Sequence, residues 1–403
     1  MQKIFRLEGK VQHYAWGGNR FIPALLSTPN DSGEPFAEYW MGAHDNVPSV
    51  VVLADGSRQP LNEFIKTNPA GILGEAVNQR FGRLPYLLKV LDVKDMLSIQ
   101  VHPNKKDAET AFAEENKKGI ALNAPSRNYK DDNHKPELMV ALGDFWLLHG
   151  FKSPDALKKT LNSQPELQFL ISIFEKEGYA GLYKNVMYMD QQEVNKHLQP
   201  LLDRIIPLYE NGKLNKDQED FWAARAALTF QQPGVIDRGI FSVYCFNLLH
   251  LKDGQAIFQD ANLPHAYLEG QNMEIMANSD NVLRGGLTPK HIDVDELMKH
   301  VKFEPIDPRI LKGQNEKTAF EKYFKTPAHD FELRELTVLV ENPLELEAQT
   351  AEVFFVFIGS VEVAEGNETL RLRSGEAMLA TAGAKITLKA VTNARIFKAT
   401  VPV

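Results

Sequence analysis

Four possible metal ligands, far apart in the sequence, place the strongest constraint on the fold of this chain. Gln100 and His102 are separated by one residue in a β-like segment, whereas Glu137 and His265 come much later. Side chains alternate between the two faces of a strand, so Ser98, Gln100 and His102 are expected to share one face. One amide oxygen, two imidazoles and one carboxylate suit a single borderline divalent cation. The fold must therefore bring these residues together in a polar-lined cavity, where a cation would act as a Lewis acid.

The composition is that of a globular protein of more than one domain. At 403 residues two or three domains are expected, and 43% hydrophobic with 24% charged residues is ordinary for a soluble protein. The net charge of −8 disfavours unspecific binding to nucleic acid or to an anionic membrane. A small phosphorylated substrate is still compatible with that charge, because a local group of Lys and Arg residues can bind it.

Cysteine content and hydropathy point to an intracellular location. Cys245 is the only cysteine, so no intramolecular disulfide can form, and its apolar surroundings predict a buried small side chain. No run approaches about 18 consecutive apolar residues, so no membrane span is predicted. The first residues lack the apolar stretch of a signal peptide. A cytoplasmic protein is expected.

The pattern of secondary structure changes twice along the chain. Up to about residue 150 it predicts short strands, among them residues 86–91 and 96–101, with a helix over 108–118 capped by Asn104. Ser153-Pro154 is a strong helix start, and helical spacing then continues to about residue 231. β character returns at residue 239, with a predicted strand over 241–251. A helical segment therefore interrupts a β domain.

The C-terminal part has short strands separated by glycines, and a weak internal repeat links it to the first β domain. His265 stands eleven positions after Gly254 at the start of one copy, and Ile386 holds the corresponding place after Gly375 in the other. The second copy thus keeps the β pattern and lacks the ligand. We predict a catalytic domain of residues 1–152 and 232–304, a helical insertion of 153–231, and a C-terminal barrel of 305–403 without metal ligands.

Six segments of this sequence resemble the type I mannose-6-phosphate isomerases, a zinc-dependent branch of the cupin superfamily. They are QHYAWG (12–17), YLLKVL (86–91), LSIQVHP (97–103), HKPE (134–137), PHAYL (264–268) and SDNVLRGGLTPK (279–290). They run in order to about residue 293, and the last segment is long enough to make chance a poor explanation. After that point the resemblance is looser and concerns architecture alone.

The resemblance implies a fold, a cofactor and a set of site residues. The fold would be mainly β, a bicupin of two jelly-roll barrels with an inserted helical domain. The family's single zinc ion would be bound by Gln100, His102, Glu137 and His265, and its catalytic arginine would be Arg284.

Two neighbouring residues are candidates for the catalytic base. Pro136 biases Lys135 towards an extended conformation, which would put Lys135 and Glu137 on the same side of the chain. An ammonium group near the metal could bind substrate oxygen or have its pKa lowered by the ion. His134 is the better proton carrier by intrinsic pKa, although it could equally support a ligand. The sequence does not separate these two roles.

Five further residues are candidates for binding the substrate: Lys89, Ser98, Lys290, Trp16 and Tyr267. Lys89 stands in an otherwise apolar strand, where an unpaired buried ammonium would be costly. It either reaches the surface or meets an anion in the cavity, and the resemblance favours the cavity. Trp16 would form a wall for a sugar, although a core position is nearly as compatible with the sequence.

The resemblance implies reversible isomerisation of mannose 6-phosphate and fructose 6-phosphate through a cis-enediolate, with a place in GDP-mannose biosynthesis. Zinc would polarise the sugar O1 and O2, one base would move the proton between C2 and C1, and Arg284 would stabilise the developing charge. A small phosphorylated sugar is the expected partner of a monomeric chain. Two alternatives are a metal-dependent cupin oxygenase and a sugar-binding protein without catalytic activity.

Overall fold

Strands and helices both make large contributions to the computed structural model, which describes residues 2–315 and 319–403. In chain order the strands are β1 (Ile4–Glu8), β2 (Lys10–Gln12), β3 (Glu38–Gly42), β4 (Val50–Val52), β5 (Arg58–Pro60), β6 (Tyr86–Val93), β7 (Gln100–Val101), β8 (Glu137–Ala141), β9 (Phe145–Phe151), β10 (Phe246–Leu251), β11 (Ala256–Gln259), β12 (His265–Ala277), β13 (Leu283–Arg284), β14 (Gln314–Asn315), β15 (Glu321–Tyr323), β16 (Glu332–Val338), β17 (Leu344–Glu347), β18 (Glu352–Glu365), β19 (Glu368–Arg373), β20 (Ala377–Ala380) and β21 (Lys385–Thr400).

The helices lie mainly in the first three quarters of the chain. They are α1 (Phe21–Leu25), α2 (Leu61–Thr67), α3 (Pro69–Leu73), α4 (Glu75–Phe81), α5 (Lys105–Lys117), α6 (Pro154–Asn162), α7 (Phe169–Tyr188), α8 (Gln191–Glu210), α9 (Glu219–Thr229), α10 (Gly239–Cys245) and α11 (Val294–His300). Gly178 interrupts α7 with a φ of 66°. The helices of the described residues are either too short or too polar to span a lipid bilayer.

Two sheets with antiparallel pairing organise the strands. In one sheet the order is β10-β9-β12-β6-β3-β2, and β7, β8, β11 and β13 pair beside it. In the other the order is β14-β15-β16-β21-β18-β20-β1-β4-β5, with β17 and β19 on its flanks. The apolar faces of both sheets share one core, to which β1, β6, β12, β18 and β21 all contribute. We call the first the site sheet, because it carries the predicted metal ligands.

The long strand β12 pairs with four other strands of the site sheet and contains a bulge. The bulge changes which face of the sheet its later side chains point to. It pairs with β6, β7, β8 and β9, and its register to β9 shifts between Tyr267 and Glu269. Gly270 follows this bulge with a φ of 130°, which a side chain would make strained. In a regular strand His265 and Glu274 would face opposite sides, since nine residues separate them. The bulge brings both to the same cavity.

Several predicted helix boundaries are confirmed by their capping bonds. The Asn104 side chain accepts a hydrogen bond from the Asp107 amide at the start of α5, and the Ser153 hydroxyl accepts one from Ala156 at the start of α6. The helical segment after Ser153 contains α6 to α9, joined by a 3-10 turn (Pro165–Leu167). The predicted helical insertion therefore coincides with observed helices.

Two predicted strands were wrong in part. The segment 241–251 begins as α10 and becomes a strand only at β10, because every residue of α10 is buried and a continuous apolar run does not distinguish helix from strand. Cys245 is buried at the end of α10, as expected. The segment 96–101 pairs only over β7, so Ser98 lies outside the strand although it reaches the same cavity as Gln100.

The C-terminal sheet includes strands from the start of the chain. β1 pairs with β20 from Ile4↔Ala380 to Leu7↔Ala377, and β4 and β5 follow it. The sheet thus crosses the boundary that we predicted at residue 305, and the division into domains stays a prediction. The internal repeat is seen locally, since Gly254 and Gly375 both have positive φ just before a short strand.

Candidate metal and substrate site

Three of the four predicted ligands form one buried cluster. His102, Glu137 and His265 each offer a ligand atom, and these atoms lie within 4.8 Å of one another. His102 Nε2 is 3.4 Å from Glu137 Oε1, and His265 Nε2 is 3.4 Å from Glu137 Oε2. His102 directly follows β7, Glu137 begins β8 and His265 begins β12, and both β7 and β8 pair with β12 in the site sheet.

The hydrogen bonds behind the two imidazoles prepare them to bind a cation. His102 Nδ1 donates to the Asn281 carbonyl oxygen at 2.8 Å, and His265 Nδ1 donates to that of Leu263 at 2.8 Å. These bonds leave each Nε2 with a free lone pair that faces Glu137. Burial lowers the pKa of His102 to about 4, which keeps the ring neutral at pH 7. In the described part of the chain His102 Nε2 has no hydrogen-bond partner, and a cation would satisfy it.

Gln100 joins this cluster from the strand opposite His265. The two residues are register partners between β7 and β12. Gln100 lines a small cavity together with Glu137 and His265, and it also lines the large cavity beside it. The donor set of one amide, two imidazoles and one carboxylate would suit a zinc ion.

Lys135 neutralises the carboxylate of the cluster. Its Nζ lies 3.0 Å from Glu137 Oε1, and both side chains are buried. Burial would raise the pKa of Glu137, but the positive charge of Lys135, together with the two nearby imidazoles, outweighs it and holds that pKa well below its usual range. Glu137 is therefore ionised at pH 7. The alternation predicted around Pro136 is confirmed by this contact.

Lys89 meets anions in the cavity and does not reach the surface. Its Nζ is 3.3 Å from Glu38 Oε2 and 3.5 Å from Glu274 Oε1, and it lies 5.0 Å from the centre of the Trp40 ring. Burial would lower the pKa of Lys89, but the charges of Glu38 and Glu274 outweigh it and raise that pKa. Burial and the nearby charge of Glu137 raise the pKa of Glu274 to about 7. Such a carboxyl can exchange a proton near neutral pH.

A cavity of about 640 Å³ opens in front of these residues. Its size suits a phosphorylated sugar. Seven residues that the sequence predicted line this cavity, namely Trp16, Lys89, Ser98, Gln100, Lys135, Arg284 and Lys290. Thr229 and Phe230, at the end of α9, extend the wall from the helical insertion.

Arg284 and Lys290 give one end of this cavity a positive charge. Burial lowers the pKa of Arg284, and burial together with the charge of Arg284 lowers the pKa of Lys290. Arg284 is half-buried and forms no ion pair with another described residue, whereas charges removed from water are usually paired. Two cations that line one cavity without a carboxylate partner indicate a place for an anionic ligand.

Two predicted residues occupy other places than expected. His134 Nε2 is 2.9 Å from Asp330 Oδ2, in the loop before β16, and His134 is absent from the lining of both cavities. Tyr267 is buried beside the ligands, where its hydroxyl donates to Glu274 Oε2 at 2.9 Å. His134 thus contacts a loop of the other sheet and Tyr267 contacts Glu274, and the roles predicted for both residues stay predictions.

Glu38 and Glu274 are residues of the site that the sequence analysis missed. Glu38 is an acidic residue in an otherwise apolar strand, the same signal that drew attention to Lys89. For Glu274, a strand period of two counted from His265 would place the side chain on the opposite face, since such a period does not include the bulge in β12. The register partners Lys89 and Glu274 become recognisable only when β6 and β12 are paired.

Comparison with known proteins identifies the family to which this chain belongs. A family profile for the catalytic domain of type I phosphomannose isomerase matches residues 4–154. The mannose-6-phosphate isomerases of Shigella flexneri and Escherichia coli are each 37% identical over 394 residues, which are 96% of this chain and 97% of theirs. The chain belongs to the type I phosphomannose isomerase family.

Solved structures of this family share the whole fold. Mannose 6-phosphate isomerase from Salmonella typhimurium, bound to fructose 6-phosphate and zinc, is 32% identical with a TM-score of 0.89, and all of both chains is covered. A zinc-bound mannose 6-phosphate isomerase gives the same values. The prediction of a mainly β cupin fold with helices is confirmed. The family resemblance found in the six sequence segments is confirmed as well.

Proposed function

We propose that this phosphomannose isomerase family member interconverts mannose 6-phosphate and fructose 6-phosphate with one bound zinc ion. The observation that carries the proposal is the convergence of two imidazole Nε2 atoms on Glu137 beside a cavity that also holds Arg284 without a described anionic partner. Relatives whose names state this activity cover almost the whole chain, and a structural neighbour binds fructose 6-phosphate and zinc.

Different residues would bind the metal and stabilise the negative charge of the intermediate. Gln100, His102, Glu137 and His265 would hold the zinc, which supplies Lewis acidity to the sugar carbonyl when it is bound. Arg284 is placed to stabilise the negative charge that develops on O1 and O2 when C2 loses its proton.

The proton itself has to leave C2 and return to C1 through one group near the cluster. We favour Lys135, which would act as a neutral amine, over His134, because Lys135 lines both cavities whereas His134 is paired with Asp330 and lines neither. Glu274 is paired with Lys89 and has a pKa of about 7. Its carboxyl group could therefore accept or supply a proton within this buried pair. The base would be buried and shielded from water, which protects the intermediate from side reactions.

The phosphate would lie at the positive end of the cavity. Lys290 and Ser98 line this wall together with Arg284, and a dianion would relieve the repulsion that lowers the pKa of Lys290. Trp16 and Lys89 also line the large cavity and would contact the sugar. Ammonium and hydroxyl groups are suitable donors to phosphate oxygens.

Metal analysis combined with turnover tests this function. Purified protein should contain about one zinc ion per chain, convert mannose 6-phosphate to fructose 6-phosphate, lose activity on chelation and regain it with zinc. Turnover that survives complete metal removal would contradict the proposal. An oxygenase would consume dioxygen, and a sugar-binding protein would bind without turnover, so an anaerobic assay distinguishes all three functions.

Three finer predictions belong to this proposal and stay predictions. The chain would act in the cytoplasm, as a monomer, at a step that supplies mannose 6-phosphate for GDP-mannose synthesis. Fractionation of cells and light scattering of the purified protein test the first two.

A further inference from the structure

The backbone turn that follows Arg284 is held in a strained conformation. Leu287 has a φ of 54°, in the left-handed region that a branched side chain rarely adopts, and Gly286 before it has a φ of 125°. Leu287, Thr288 and Lys290 line the large cavity together with Arg284. Residues 285–288 form this turn, and Arg284 and Lys290 stand on either side of it. A shift of the turn backbone would therefore move both of these side chains.

One side of the turn rests on the strand that carries Gln100. Ile99 donates to the Gly286 carbonyl oxygen at 3.0 Å, and Gly285 donates to that of Ile99 at 2.9 Å. These bonds fix the first half of the turn relative to the metal ligands. They leave the amide groups of Leu287 and Thr288 facing the other way.

Asp237 accepts hydrogen bonds from both of those amides. Its Oδ1 accepts from the Leu287 amide at 2.8 Å, and its Oδ2 accepts from the Thr288 amide at 2.9 Å. Oδ1 also accepts from the Gly239 amide at 2.7 Å, at the start of α10. Consecutive amides beside a left-handed residue form a concave donor pair that suits an anionic oxygen. Here a side chain of the protein fills that place.

Gly239 lets the two backbones approach closely enough for these bonds. A Cβ atom on Gly239 would stand 2.5 Å from the Leu287 nitrogen and 2.9 Å from the Gly286 carbonyl carbon. A side chain at Gly239 would therefore push the turn away, even though its own φ is not in the left-handed region.

We propose that Asp237 is a positioning residue for the isomerase site: it fixes the 285–288 turn, and through it Arg284 and Lys290. Asp237 comes directly after the helical insertion and does not itself line the large cavity. Asp237 thus links the segment between α9 and α10 to the turn that lies between Arg284 and Lys290. This inference rests on the proposed function for its kinetic test, but the geometry of the turn can be tested without activity.

The kinetic test compares Asp237→Ala, Asp237→Asn and Gly239→Ala with the parent, each loaded with zinc. Asp237→Ala loses all three hydrogen bonds and should lower kcat/KM for mannose 6-phosphate by about 100-fold, since small misplacements of catalytic groups have effects of that size. Asp237→Asn keeps one oxygen and should lose about 10-fold, mainly through a higher KM and weaker inhibition by inorganic phosphate. Gly239→Ala should resemble Asp237→Ala.

Asp190 provides the matched control. Its Oδ1 also accepts hydrogen bonds from two backbone amides, those of Gln192 at 2.9 Å and Glu193 at 3.1 Å, at the exposed start of α8 and outside the lining of the large cavity. Asp190→Ala should change kcat and KM by less than twofold. If Asp237→Ala behaves like Asp190→Ala at equal zinc content, or lowers only thermal stability, the inference is overturned.

Hydrogen exchange of the metal-free protein gives a readout without turnover. Peptides covering 285–290 should exchange at least 10-fold faster in Asp237→Ala than in the parent, and at the parent rate in Asp190→Ala. Unchanged exchange would refute the inference. A parent that exchanges slowly here but does not convert mannose 6-phosphate would instead refute the proposed function. Should Asp237→Ala fail to fold, Asp237→Asn and Gly239→Ala decide the matter by the same measurements.

Discussion

At the residue scale, the site combines paired and unpaired charges in one buried space. Lys135 balances Glu137, and Lys89 balances Glu38 and Glu274, so these buried charges largely compensate each other. Buried ion pairs of this kind are weak evidence of stability, but removal of one partner is costly. Arg284 differs, because no carboxylate of the described residues compensates it. Substitutions should therefore separate metal binding from charge stabilisation.

Glu137→Gln should lose zinc while Glu274→Gln keeps it. Glutamine retains an oxygen at position 137 but loses the negative charge that the cation and Lys135 both need. We expect zinc affinity to fall by at least about 100-fold, with activity falling in proportion. Glu274 is the matched control, because it is also a buried carboxylate beside a lysine but is not a member of the ligand cluster. Full zinc content in Glu137→Gln would remove Glu137 from the ligand set.

Arg284→Lys should retain zinc and lose rate. Lysine keeps the positive charge but lacks the planar donor group that can address two oxygens at once. We expect kcat to fall by about 10²–10³-fold, the usual effect of losing a donor to a developing oxyanion. Stopped-assay rates together with zinc analysis check this. Parent-like kcat in the variant would mean that Arg284 has no part in the chemical step.

At the element scale, local signals were enough to predict the ends of helices but not the geometry of β12. Asn104 and Ser153 cap helices through their own side chains, so a few neighbouring residues decide the outcome. The bulge after Tyr267 depends on the pairing of β12 with β9, which lies far away in sequence. That is why the ligand His265 was predicted through its motif, whereas Glu274 on the same strand was missed.

The helix α11 holds the segment after α5 through one acidic residue. Glu296 Oε1 accepts a hydrogen bond from the Tyr129 hydroxyl at 2.6 Å, and Oε2 accepts one from Lys299 at 2.6 Å. A hydrogen bond from His300, followed by those of Lys299 and Tyr129, lowers the pKa of Glu296 from 4.5 to about 2 despite partial burial. The folded state therefore favours the ionised form of this carboxyl.

Glu296→Gln should make stability less sensitive to acid. Because the folded pKa is below the unfolded one, Glu296 contributes stability above pH 4.5 that is lost as pH falls towards 2. The parent should lose more free energy of unfolding between pH 7 and pH 3 than the variant. Urea unfolding at several pH values measures this difference, with the exposed Glu304 changed to Gln as control. Equal pH dependence in Glu296→Gln and the parent would contradict the assigned bonds.

At the scale of the whole molecule, strands from the start of the chain pair with strands near its end in one sheet. The motifs predicted the metal ligands and the cupin fold, because they preserve a local context around each ligand. They could not predict that β1 would pair with β20, since strand pairing depends on the complete fold and leaves no local signal. Phe230, within the segment predicted as a helical insertion, lines the large cavity. The sequence predicted this segment only as a separate domain and gave no sign of that contact.

Tyr86 links the site sheet to the C-terminal sheet at the centre of the common core. It begins β6, and its hydroxyl lies 3.0 Å from the Ala351 carbonyl oxygen and 3.1 Å from that of Ala399. The side chain is fully buried among apolar residues of both sheets. A buried carbonyl that loses its donor keeps the cost of its lost hydration.

Tyr86→Phe should therefore weaken the whole molecule without changing the site. We expect a loss of about 1–2 kcal/mol in the free energy of unfolding, seen as a lower melting temperature. Zinc content and kcat should stay at the parent values, because Tyr86 is not part of either cavity wall. Tyr188→Phe is the control: its hydroxyl donates to Asp295 on an exposed surface, where a change within about 0.5 kcal/mol is expected. Equal stability of the two variants would show that the Tyr86 hydroxyl does not tie the two sheets together.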